Sequence, residues 1–202
     1  MADKYASFDE LRATEAADNF SIFARESHAI FAVMAPHGGL IEPGTSEIAR
    51  AIAGDDLALY VFDAIKAKGN KDLHITSSRF DEPNCVHMLG TVQTVLAIHG
   101  EKSNTDTVFV GGRHPDFSDI LRAELAPAGF NVEEHENLHL QGRDPSNICN
   151  RGVSGRGMQL ELARGLRQTF FKSLNKEGLR ERTPRFVQFC GLVRAALLRI
   201  PA

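Results

Sequence analysis

Two histidines share one local grammar. Residues 29–35 (AIFAVMA) lead through Pro36 into His37-Gly38-Gly39, and residues 91–98 (TVQTVLAI) lead into His99-Gly100. Each imidazole follows a strand-length apolar run and precedes glycine, which turns sharply and leaves room beside it. Glu42 follows His37 closely. Two imidazoles and one carboxylate are the donor set of many catalytic zinc sites, with the fourth position left to water. Nitrogen and carboxylate oxygen suit zinc better than magnesium. His37, Glu42 and His99 are therefore expected to hold one zinc ion per chain.

Glu161 is the second carboxylate of interest. It lies in an alternating stretch, MQLEL (158–162), that places Met158, Leu160 and Leu162 on one face and Gln159 and Glu161 on the other. An unpaired charge in an apolar strand is costly, so this glutamate is either paired, with Arg164 or Arg156, or functional. Beside a zinc site it would act as a general base and then a general acid. The donor-rich stretch 144–152 (DPSNICNRG) leads towards that strand and reads as a substrate loop. Arg79, Arg113, Asn147, Arg151 and Arg156 are the candidate substrate-binding residues; an arginine there could clamp a carboxylate. His28, His74, His87, His114, His135 and His139 read as structural or surface residues.

These side chains need a scaffold. Residues 29–35, 91–98 and 107–110 read as buried strands, 131–134 and 158–162 as shorter ones, and 73–76 as strand-like before Arg79. Residues 57–65 suit a strand or a buried helix. Thr45 can cap a helix over 45–53 that stops at Gly54, and Pro115 can open one that Gly129 ends. Residues 164–175 and 184–199 supply two more helices. Strands alternating with helices imply an α/β fold with a twisted, mixed, largely parallel sheet sandwiched by helices. In such sheets ligands bind beyond the carboxyl ends of the strands, where both histidines are expected.

At 202 residues, 43% hydrophobic and 24% charged, the chain suits one domain over 1–202 with a real core. No stretch is long and apolar enough for a membrane helix, and the acidic, polar residues 1–15 do not read as a signal peptide. A cytoplasmic location is expected, with release by lysis of a cell or phage host as an alternative. Cys85, Cys149 and Cys190 are odd in number and unpaired in spacing, against a disulfide framework. Residues 1–60 carry ten acids against four bases, and residues 143–202 twelve bases against four acids. A basic final third could face an anionic ligand, although Arg180, Arg182, Arg194 and Arg199 read better as a solvated helix surface.

Five segments together resemble a known family: APHGGLIEPGTSEIA (35–49), AIHG (97–100), VGGRH (110–114), SNICNRG (146–152) and GMQLELARGLR (157–167). In this order, across roughly residues 20–170, they resemble the poly-γ-glutamate hydrolases of phages and bacteria. The resemblance implies a zinc carboxypeptidase-like fold, His37, Glu42 and His99 as zinc ligands, and Glu161 as the catalytic glutamate. It implies hydrolysis of γ-glutamyl amide bonds in an anionic polymer or peptide, with no nucleic-acid or membrane partner. A related metalloamidase acting on a small N-acyl amino acid or a cell-wall peptide is the alternative. A polyanion-binding module without zinc and a hydrolase built on Cys149 are weaker ones, since the His37, Glu42, His99 and Glu161 set is intact and no histidine partner for Cys149 is evident.

Overall fold

The computed structural model describes residues 3–201; the two ends of the expected domain, residues 1–2 and 202, lie outside the described residues. Seven strands form one sheet in the order β1-β3-β2-β4-β7-β5-β6. They are β1 (Phe20–Arg25), β2 (Phe31–Gly39), β3 (Ala58–Ala64), β4 (Thr94–Glu101), β5 (Thr107–Gly112), β6 (Asn131–Glu133) and β7 (Met158–Ala163). Pairs β2–β3, β2–β4, β4–β7 and β5–β6 are parallel; β1–β3 and β5–β7 are antiparallel. The expected mixed, largely parallel sheet is thus present, and residues 57–65 take the strand option. β2 and β4 read as unbroken apolar runs because both of their faces are covered.

The two faces carry separate cores. On one face, alternate residues such as Val33, Ala35, Leu96, Ile98, Leu160 and Leu162 pack under α2 (Thr45–Ala53), α4 (Phe117–Leu125), α5 (Arg164–Phe170) and α6 (Pro184–Leu198). On the other, Ala32, Met34, Val95 and Ala97 pack against α1 (Phe8–Thr14), α3 (Pro83–Leu89) and the irregular segment around Ile148 and Cys149. No helix among the described residues is long and apolar enough to cross a membrane.

Several boundaries differ from expectation for local reasons. Residues 74–76 are irregular and Leu73 closes a 3-10 turn (Asn70–Leu73), so there is no strand before Arg79. Thr45 is the first residue of α2 rather than its cap; its hydroxyl donates to the Glu42 carbonyl at 2.8 Å. α4 begins at Phe117, after Pro115 and Asp116. α5 stops at Phe170 because Phe171 turns extended and bridges to Arg182. β1, α1 and α3 were not anticipated. β1 is an edge strand whose residues alternate between half-buried and exposed, a weak signal in so short a run.

Candidate metal centre

β4 carries its histidine by plain alternation. Val95 and Ala97 face the core opposite α2, so His99 faces the same way, next to Glu161 across the parallel pair with β7. β2 cannot do this unaided. Ala35 faces the α2 side, and regular pleating would send His37 after it. The register instead shifts between Ala35 and Gly38: three steps on β2 match two on β3. This bulge, at a proline that has no N–H to lose from the ladder, turns His37 to the face that holds His99. Gly39 follows in the left-handed region (φ 61°), and the Glu42 N–H closes the turn on the His37 carbonyl at 3.0 Å. The turn brings Glu42 back over His37.

The three side chains converge. His37 Nδ1 lies 3.2 Å from Glu42 Oε1 and 3.1 Å from His99 Nδ1, and His99 Nδ1 lies 3.5 Å from Glu42 Oε2. Both histidines are only 2% exposed. Ligands about 2 Å from a tetrahedral ion stand about 3.3 Å apart, which the three separations match. Proton bookkeeping agrees. His37 Nε2 donates to the Ile75 carbonyl at 2.8 Å, so in the neutral ring Nδ1 presents a bare lone pair to a carboxylate and a second imidazole. The His37 lone pair and the Glu42 carboxylate thus meet with no proton between them, an arrangement that a cation would satisfy, and the carbonyl that fixes His37 is the usual outer support of a metal-binding histidine. Burial raises the Glu42 carboxyl, but the charges and hydrogen bonds of His37 and His99 outweigh it and hold the group well below the usual carboxylate range. Glu42 Oε2 also accepts from the Gly100 N–H at 2.9 Å.

Glu161 stands beside this triad, buried, and pairs with neither Arg164 nor Arg156 among the described residues. Its Oε1 accepts from Gln159 Nε2 at 3.1 Å, and Gln159 Oε1 accepts from Asn147 Nδ2 at 3.1 Å. Burial first, and then the Glu42 charge, push its carboxyl well above the ordinary value. Burial likewise raises the thiols of Cys85, Cys149 and Cys190, which leaves Cys149 no activated nucleophile.

A cleft of about 780 Å³ opens over His37, Glu42, His99 and Glu161, with Ser77, Lys102, His139, Arg143, Asn147 and Gln159 also in its wall. A second cavity of about 640 Å³ adjoins it and shares Glu42, His74, Gly100 and Lys102. Of the candidate substrate residues, Asn147 lines the cleft and the four arginines do not. Arg79 donates to Asp3 (2.6 Å), Arg151 to the Phe80 carbonyl (2.8 Å), and Arg113 reaches the Gly155 carbonyl (3.4 Å). Arg156 is exposed on the turn before β7. His74, read from the sequence as a structural or surface residue, lines both cavities. Its ring lies against His37, tilted by 36° with centroids 4.0 Å apart, and its Nδ1 is 2.7 Å from Asp3 Oδ1. Burial, then the neighbouring His37 charge, lower it to about 4. Gln159 and Arg143 were also missed as site residues; for Gln159 the signal was its place on the Glu161 face.

Residues 5–192 match the profile of a family described as poly-gamma-glutamate hydrolase. The chain belongs to that family. The SPbeta prophage-derived protein YoqZ of Bacillus subtilis is 34% identical over 178 residues, covering 88% of this chain and 65% of YoqZ. The chain therefore spans about two thirds of the length of that curated relative. The structure of a bacteriophage poly-gamma-glutamate hydrolase superposes with a TM-score of 0.92 at 28% identity, covering 98% of this chain and 97% of the other. A zinc-free structure of YndL superposes with a TM-score of 0.93 at 31% identity, covering 98% of each chain. For this member of the poly-γ-glutamate hydrolase family, the fold and the convergent His37–Glu42–His99 triad are thus established together.

Proposed function

We propose that residues 1–202 act as one zinc-dependent hydrolase domain that cleaves γ-glutamyl amide bonds in poly-γ-glutamate, in the cytoplasm or after lysis releases it. The observation that carries this reading is the meeting of His37, Glu42 and His99 beside a buried, raised Glu161 in a chain of this family. His37, Glu42 and His99 would hold the zinc, which when bound would supply a Lewis acid for the amide carbonyl and an acidified water, and its charge would favour the ionised form of Glu161. Glu161 takes a proton from the attacking water and delivers it to the departing nitrogen, so the products are a carboxylate and an amine. Gln159 holds the Glu161 carboxyl through one oxygen and leaves the other free. Asn147 fixes the Gln159 amide in turn. His37 is held for its task by Ile75 and His99 by the strand itself.

The match to the poly-gamma-glutamate hydrolase profile and to the phage enzyme supports a polymer over a small N-acyl amino acid. The test is cleavage of poly-γ-glutamate before and after chelation, with zinc restored afterwards. Activity should vanish with the metal and return with it. Full activity in the stripped protein defeats the proposal.

A further inference from the structure

The two cavities have unlike walls. The smaller adds Lys71, Arg164 and Arg167 to the shared Lys102, over an apolar floor that includes Leu40, Ile41 and Leu174. Its one acid besides Glu42 is Asp3, already engaged by His74, the Thr76 N–H and Arg79. The larger holds Glu101, Asp144 and Glu161 against Lys102 and Arg143, and Arg143 is paired with Glu134. Among the described residues Lys71, Lys102 and Arg164 make no ion pair, unlike Arg185 and Arg199, which are bound to Asp106 and Glu124. Arg167 lies beneath them, 3% exposed, with its guanidinium donating to the carbonyls of Pro43, Glu101 and Leu162. It is seated on Gly100, where a Cβ would come within 2.7 Å of its central carbon. Three backbone carbonyls hold the cation, and the carboxylates of Glu42, Glu161 and Glu101 act on it, so it adds less to the field of the lobe than the three surface cations do. Apart from the charge a metal ion would bring to the triad, whose histidines line the larger lobe, the smaller lobe therefore attracts an anion more strongly than the larger one.

Glu161 lines only the larger lobe. As proton donor it must come within about 3 Å of the departing nitrogen. The amine side of the bond then lies in the larger lobe and the acyl side extends into the smaller. We propose that the smaller, basic lobe is the subsite for the α-carboxylate of the γ-glutamyl residue on the acyl side of the bond cut, held by Lys71 and Arg164 with Arg167 behind them. This rests on the proposed activity and on the role given there to Glu161; the charge asymmetry of the two lobes supplies the direction.

The test uses short γ-linked glutamyl oligomers in which one α-carboxylate at a time is replaced by a carboxamide, with cleavage positions read by mass spectrometry. The zinc-loaded wild type is compared with the double variant Lys71→Gln/Arg164→Gln, whose changes lie on the surface and leave the core intact. Amidation on the acyl side should lower wild-type kcat/KM about tenfold, as loss of two exposed charge contacts would. In the double variant the same amidation should matter little, while amidation on the amine side affects both proteins alike. Calorimetric binding of the unmodified oligomer to metal-free Glu161→Gln protein should weaken by a similar factor when Lys71 and Arg164 are also changed. Coupling of the double variant to the amine-side carboxylate, or to neither, overturns the assignment. Failure of the zinc-loaded wild type to cut any unmodified oligomer or polymer would instead overturn the activity on which it rests.

Discussion

Neighbouring residues on β7 answer to opposite demands. Leu160 and Leu162 point under α5 and α6 and are sealed among aliphatic and aromatic side chains. Gln159 and Glu161, one step away, point to the other face, where the packed core ends and the cleft begins. Both pairs are buried, so exposure does not distinguish them. What distinguishes them is the kind of partner. The leucines meet carbon, and their burial stabilises the fold. Glu161 meets one amide and a negative neighbour, a placement that costs stability and is tolerated where chemistry requires it. One face of the strand packs the core and the other faces the cleft.

The comparison can be broken first at Glu161. Glu161→Gln keeps the shape of the protonated side chain and removes the proton carrier. Steady-state cleavage of poly-γ-glutamate should fall by about 10³-fold or more, while zinc content and thermal stability are unchanged or slightly raised. A large loss of stability would instead make Glu161 a structural residue. Leu160→Ala is the mirror case. Denaturant unfolding should show a loss of about 2–5 kcal/mol, with the zinc stoichiometry of the folded fraction unchanged. Metal loss from a folded Leu160→Ala protein would erase the division between the faces.

Gln159→Ala sharpens the picture on the cleft side. It removes the amide hydrogen bond to the ionised Glu161, worth roughly 1.5–3 kcal/mol, so kcat should drop about ten- to a hundredfold with KM and zinc affinity held. An effect on KM alone would make Gln159 a substrate contact. The smallest expected effect lies outside the site. Glu15 accepts from Tyr5, Asn19 and Lys66, and the Tyr5 hydroxyl foremost lowers it from 4.5 to about 2. A carboxyl depressed in the fold stabilises above its unfolded value and loses that stability as pH falls through the folded one. Wild type should therefore lose more thermal stability than Glu15→Gln between pH 4.5 and pH 2. Parallel melting curves across that window would remove this contribution.

Much of the site was legible in the residues. His37 and His99 announced themselves by following apolar runs and preceding glycine, and Glu161 by interrupting a strand with a charge. The apolar runs marked every strand except β1, although they left β3 open between strand and helix and also marked residues 73–76, which form no strand. The bulge at Pro36 was not legible, because it depends on what β3 allows opposite it, and yet it decides which face His37 serves. That the four candidate arginines lie outside the cleft wall was not legible for a related reason: a strand-end position says that a side chain is near a sheet edge, not which loop it turns towards. His74 and Asp3, 71 residues apart, meet through irregular segments that have no period to read.

The central claim is that three side chains hold one ion. Metal analysis of the purified protein after reconstitution with zinc and dialysis tests it directly, alongside His37→Ala and His99→Ala proteins shown to be folded by circular dichroism. The wild type should retain about one zinc per chain and each variant essentially none. A wild type that retains no zinc yet cleaves the polymer, or folded variants that keep theirs, would contradict the account.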